Sequence, residues 1–138
     1  MTLKDARRIT GLSQNKLTDL YGIPRRTFQA WELGARECPK WCERLVIKEL
    51  LNYKGDGNMT LYSVISTSTN NNCADEFEHY LGFDYDEAIK AYNEAKNGPN
   101  EPSVECRVYR IPADTDKRDK DEIINAMCDC IGYDLLEV

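Results

Sequence analysis

The sequence predicts an α+β chain: an all-α N-terminal module of four to five short helices, then a small three-stranded α/β module in the order β-α-α-β-α-β. Three observations carry this reading. Apolar residues recur at helical spacing through the first 54 positions, punctuated by Gly11, Gly22 and Gly34. Beyond Gly55-Asp56-Gly57-Asn58, β-branched and aromatic runs alternate with helical patterns instead. Charge divides at the same place. The 138-residue chain has a formal net charge of −6, yet its first 54 residues hold 11 basic and 6 acidic side chains (+5), and the remaining 84 hold 7 and 18 (−11). An asymmetry this large predicts two modules with different partners: residues 1–54, a linker at 55–58, and residues 59–138.

At 41% hydrophobic the chain has enough apolar content for a packed core, which excludes an intrinsically disordered polypeptide. No run approaches the roughly 18 apolar residues of a membrane span, and the N-terminus lacks the apolar stretch of a signal peptide, so the expected compartment is the cytoplasm.

In the basic half, Thr2 is placed to cap a first helix carrying Leu3, Ala6 and Ile9 inward. Ser13 caps a second, with Leu17 and Leu20 as its inward face. Gly22 closes that helix and Pro24 suits the first turn of a third, since its missing N–H costs nothing there. Phe28 and Trp31 fall on one side of this third helix, which stops at Gly34. Pro39 opens a last helix with Trp41, Leu45, Val46, Leu50 and Leu51. Their spacing alongside leucines assigns Phe28, Trp31 and Trp41 to the core rather than to base stacking.

In order and spacing, Gly11-Leu12-Ser13-Gln14, Leu17, Gly22-Ile23-Pro24, Arg26-Thr27 and Trp31-Glu32-x-Gly34-x-Arg36-x-x-Pro39 resemble the phage Cro/C1-repressor (XRE-type) helix-turn-helix family. The resemblance spans residues 1–54. It implies that the third helix enters the DNA major groove while the second crosses the backbone. Arg25, Arg26, Thr27 and Gln29 supply polar reach and Ala30 a small apolar contact, matching the pairings of Arg with guanine, Gln with adenine and Ala with the thymine methyl. Gln14, at the start of the second helix, is expected at a phosphate, and Lys16, Arg36 and Lys40 add further phosphate contacts. The plainer reading of these side chains is a solvated basic face.

The acidic half opens with a strand at Leu61–Thr67, a loop at Asn70–Asn72, and a short helix carrying Phe77, Tyr80 and Leu81. Asp84-x-x-Glu87 then caps a helix through Ala95, with Gly98-Pro99 as its stop. Val104, Cys106 and Val108 alternate as a second strand ended by Pro112. Asp119-x-x-Glu122 caps a helix bearing Ile123, Ile124, Met127, Cys128 and Ile131, closed by Gly132, and Tyr133–Val138 forms the last strand.

Other constellations carry no chemistry. The carboxylates of Asp114-x-Asp116-x-x-Asp119-x-Asp121-Glu122 lack the glycine and the twelfth-position Glu of a calcium loop. The six cysteines match no zinc-ribbon spacing, and free, mostly buried thiols are expected, with Cys128 and Cys130 on opposite faces of their helix. His79, the one histidine, has no nucleophile or acid at triad spacing and is expected to pack on the surface of its helix.

The function expected from the sequence is a sequence-specific transcriptional regulator of phage or mobile-element type, binding double-stranded DNA as a homodimer, with the acidic domain of residues 59–138 dimerising or sensing a partner, without cofactor or metal, and not an enzyme. The alternative is an antitoxin-like or anti-CRISPR-like inhibitor. There the acidic domain, as partner-binding module, blocks a basic nucleic-acid channel while the helix-turn-helix autoregulates.

Overall fold

Helix signals in the first 54 residues produce four helices in the computed structural model, which describes residues 1–70, 73–97 and 103–135: α1 (Leu3–Thr10), α2 (Gln14–Tyr21), α3 (Arg25–Leu33) and α4 (Lys40–Leu51). The Thr2 hydroxyl accepts from the Asp5 N–H and the Asp5 carboxylate accepts from the Thr2 N–H, a reciprocal cap that satisfies two orphan donors of α1. Ser13 accepts from the Lys16 N–H at the start of α2. Gly22 ends α2 at φ 67°, a left-handed conformation that suits glycine, and Pro24 directly precedes α3. Leu3, Ala6, Leu12, Leu17, Phe28, Ile47, Leu50 and Leu51 are buried.

Two expectations about this core are corrected. Leu20 is not an inward residue of α2; it is 52% exposed, and Thr18 is buried in its stead, its hydroxyl donating to the Gln14 and Asn15 carbonyls. Trp41 and Leu45 are likewise outside the core, at 68% and 57% exposure. They sit one turn apart on α4, away from the buried Ile47, Leu50 and Leu51. The helix carries apolar residues on two faces, and only one of them packs.

The chain divides into two compact units, Met1–Asn58 and Met59–Val138. Residues 55–58 form a turn, in which the Gly57 N–H donates to the Lys54 carbonyl and the Asn58 N–H to Asp56.

The second unit is a mixed helix and sheet module with one strand more than expected: β1 (Asn58–Asn70), β2 (Cys73–Gly82), α5 (Tyr85–Lys96), β3 (Ser103–Pro112), α6 (Lys120–Cys128) and β4 (Tyr133–Asp134). Its four-stranded antiparallel sheet has the order β2-β1-β3-β4. The segment read as a helix through Phe77, Tyr80 and Leu81 is strand β2, in register with β1 from Tyr62 opposite Gly82 to Asn70 opposite Cys73. Phe77 is 55% exposed, so the apolar triplet is no buried helical stripe, and pairing with β1 takes up the backbone groups of this segment. Asn70 consequently belongs to a strand rather than a loop; Asn71, Asn72 and the Gly98-Pro99 stop lie outside the described residues.

Strand alternation puts the two faces of β1 under different helices. Met59 and Leu61 pack with Ile111 and with Ile123 of α6. Tyr62, pointing the other way, meets the Tyr85 ring of α5 edge-on at 5.9 Å between centroids. Met59 to Val64 are therefore all buried, a central strand covered on both sides. Asp84 caps α5 through the Glu87 N–H, and Asp119 caps α6 through the Asp121 and Glu122 N–H groups, as their spacing predicts. The last strand is shorter than expected, pairing Tyr133 and Asp134 with Val108 and Arg107; residues 136–138 lie outside the described set. The α6 helix stops at Cys128, before Cys130, Ile131 and Gly132, so the two cysteines do not share a helix.

Candidate nucleic-acid interface

A helix that reads DNA needs one face anchored and the other presenting long polar groups. In α3 the anchor is Phe28, fully buried, with the Trp31 ring edge-on to it at 6.4 Å. The opposite stripe is Arg25, Arg26 and Gln29, all exposed. Leu33 continues this stripe one turn on from Gln29 and is 83% exposed. Thr27 and Ala30 are half-buried on its flank, so the sequence-based choice of Ala30 as the apolar contact passes over the more prominent Leu33. The signal for Leu33 was present in the spacing: it stands seven residues from Arg26 and four from Gln29.

Arg25 reaches back to α2, its Nη2 lying 3.3 Å from either oxygen of Asp19. Both partners are more than half exposed, so the pair is weak and easily exchanged for another anion. Lys16 and Gln29 are exposed, as are Arg36 and Lys40 around the α3–α4 connection. Beside this connection a groove of about 580 Å³ is lined by Trp31, Leu33, Arg36, Cys38 and Lys40, among others.

Gln14 is placed differently from the other site residues. Its side-chain amide donates to the Glu32 carboxylate, so the residue expected at a phosphate is also part of an internal network. Glu32 accepts as well from Arg7, whose Nη1 donates to the Leu12 carbonyl at 3.1 Å. Burial pushes the Glu32 carboxyl up, but the hydrogen bonds from Arg7 and Gln14, with the charges of Arg7 and Lys4, outweigh it and hold the group below its ordinary value. Sequence reading missed this network because nothing in the spacing of Arg7, Gln14 and Glu32 marks them as partners.

In the second unit, His79 is exposed on β2, not on a helix. It is the extra residue of a β-bulge: Val64 faces Tyr80 and Ile65 faces Glu78, leaving His79 unmatched, and its Nε2 lies 2.7 Å from the Ser66 hydroxyl. Asp116 and Asp119 of the acidic run bind backbone N–H groups of their own turn and helix start. Among the described residues no group of three or more His, Cys, Asp or Glu is assembled to hold a metal. The described cysteines are free thiols, but only Cys106 is buried; Cys38, Cys42 and Cys130 are half-buried and Cys128 is exposed, which corrects the expectation of mostly buried thiols. Among the described residues no helix is long and apolar enough to cross a membrane.

Compared with known proteins, the chain matches no family model, no curated protein and no solved structure.

Proposed function

We propose that the first unit binds double-stranded DNA, with α3 in the major groove, and that the protein is a cytoplasmic, non-enzymatic transcriptional regulator of phage or mobile-element type. The single observation that carries this reading is the exposed stripe Arg25–Arg26–Gln29–Leu33 on a helix anchored by Phe28. Arg26 and Gln29 have the donor and acceptor groups that discriminate guanine and adenine. Gln14, Lys16, Arg36 and Lys40 act on phosphates and set register rather than sequence. The protein works as a homodimer on half-sites roughly 34 Å apart, one turn of duplex. The experiment is selection of a duplex from random sequence, followed by mobility shift. Arg25→Ala/Arg26→Ala abolishes preference for the selected duplex; unchanged binding by that variant defeats the reading.

A second reading rests on strand β2, at the edge of the sheet, which presents Asp75, Glu76 and Glu78 to solvent in a unit of strongly negative charge. An anionic edge of this kind suits an antitoxin-like or anti-CRISPR-like inhibitor that occupies a basic nucleic-acid channel. Salt-sensitive co-purification of the full chain with a nuclease supports it; retention of that nuclease by an Asp75→Lys/Glu76→Lys/Glu78→Lys variant removes the edge from consideration.

A further inference from the structure

We infer that Cys38 and Cys42 form a dithiol modification site that closes into an intramolecular disulfide on reaction with a small disulfide such as oxidised glutathione. Cys38 immediately precedes Pro39, the residue that opens α4, and Cys42 follows one turn later. Cys38 lies outside the helix, Pro39 caps it and Cys42 is its third residue, so the chain turns into α4 between the two thiols; closure requires their Cα atoms to come within the ~4.4–6.8 Å range that a disulfide spans. Both side chains are half-buried free thiols, and their sulfurs lie within hydrogen-bonding reach of each other. Cys38 also lines the groove of about 580 Å³ beside Trp31 and Arg36, which gives a small disulfide access to its sulfur. A zinc site is not assembled here, since no third His, Cys, Asp or Glu ligand joins the pair among the described residues.

The reaction balances as two exchanges. One thiol loses its proton, and its thiolate attacks a sulfur of glutathione disulfide; that S–S bond breaks and a glutathione thiolate departs. The second thiol, once deprotonated, attacks the protein sulfur of the mixed disulfide, forming the Cys38–Cys42 bond and releasing the second glutathione. Two electrons pass to glutathione, and the two protons end on its thiols. Burial, then the neighbouring Cys42 and Glu43, push the Cys38 thiol up to about 11, which makes the closure slow at neutral pH and faster in alkali.

Lys40 lies within the closed loop and Arg36 two residues before it, so the bond fixes the backbone that carries Lys40 and the point from which Arg36 extends. On the DNA-binding reading proposed above, which this consequence requires, closure changes affinity for the duplex.

The test equilibrates the full chain with glutathione buffers of increasing oxidised fraction, blocks remaining thiols, and maps peptides by mass. The same samples are run against the selected duplex. The expected result is one peptide in which Cys38 and Cys42 are joined, a persistent glutathione adduct on Cys38 in Cys42→Ser, and a reversible change in DNA affinity of about tenfold, the order expected when two phosphate contacts move. Both thiols remaining free in buffers that glutathionylate exposed Cys128 overturns the inference. A closed disulfide with unchanged affinity overturns its regulatory half. A reduced chain that binds no duplex defeats the DNA reading instead, and the peptide map then decides the thiol chemistry alone.

Discussion

Arg7 of α1 holds Glu32 of α3 through two parallel hydrogen bonds, Nε to Oε1 at 2.6 Å and Nη2 to Oε2 at 3.3 Å, with side chains only 17% and 4% exposed. The fork matches the geometry of guanidinium and carboxylate, and Gln14 of α2 completes it. Three of the four helices of the first unit are thus joined at one carboxylate that lies four residues beyond Phe28. Removing one member leaves the other charge buried and uncompensated. Arg7→Ala or Glu32→Ala is expected to cost about 3–5 kcal/mol. Both tryptophans of the chain, Trp31 and Trp41, belong to this unit, so urea unfolding followed by their emission reads it separately from the second.

The same pair sets an acid dependence. Glu32 is held below its ordinary value in the folded unit, so its contribution is complete above the ordinary carboxylate range. It is lost as pH falls through the lower folded value. The tryptophan-detected midpoint is therefore expected to drop with acid in that window. Glu32→Gln lowers the plateau and flattens this part of the profile; an unchanged slope in Glu32→Gln assigns the acid dependence to other carboxylates.

Leu33 is 83% exposed at the end of the polar stripe of α3, a position solvent alone would not favour for leucine. On the DNA-binding reading its partner is a thymine methyl, an apolar contact available in the major groove. Once a duplex is selected, replacing thymine by uracil at the contacted step is expected to weaken binding of the parent chain by about tenfold, within the ~1–3 kcal/mol that a base contact supplies. Leu33→Ala is expected to bind both duplexes alike. Equal sensitivity to uracil in the parent and in Leu33→Ala would place the contact elsewhere.

Trp41 and Leu45 give α4 an exposed apolar face at 68% and 57% exposure, flanked by the exposed Arg44 and Glu49. Covering a tryptophan and a leucine contributes roughly 1.5–3 kcal/mol each. On the homodimer proposed above, Trp41→Glu/Leu45→Glu is expected to sediment as a monomer while its far-ultraviolet circular dichroism is unchanged, because neither residue supports the core. A parent chain that is monomeric at high micromolar concentration removes this face from the dimer.

How far the sequence was legible follows from which signals are local. Caps and stops act over a few residues, so Thr2, Ser13, Gly22, Gly34, Asp84 and Asp119 were readable and the helix ends they mark fall where expected, whereas the far end of α6 does not. Strand β2 was not, because Phe77, Tyr80 and Leu81 have a spacing compatible with a helix, and the decision lies with β1, whose backbone they pair. Leu20, Trp41 and Leu45 failed for a related reason. Periodicity shows that a helix has an apolar face, but tertiary packing chooses which one is covered. Among the site residues the stripe of α3 was legible from spacing, whereas the partners of Gln14 come from other helices and leave no local trace.

Tyr62 tests the packing of the second unit. It is fully buried in the central strand, edge-on to Tyr85, and its hydroxyl has no hydrogen-bond partner among the described residues. Burial, then the neighbouring Tyr85 and Cys106, push its ionisation well above the ordinary phenol range, so the group stays neutral across the stable pH range. A buried hydroxyl without a partner retains its desolvation cost, about 1–3 kcal/mol, with no compensating bond. Tyr62→Phe keeps the ring and its contact with Tyr85 while removing that cost. The variant is expected to be more stable by about 1 kcal/mol, a rise of a few degrees in the melting temperature of this unit. Near-ultraviolet circular dichroism of its tyrosines follows the transition, since this unit contains no tryptophan. A loss of stability of the same size would mean that the hydroxyl is bonded in solution, and that the sheet and α5 are held together by a polar contact rather than by ring packing alone.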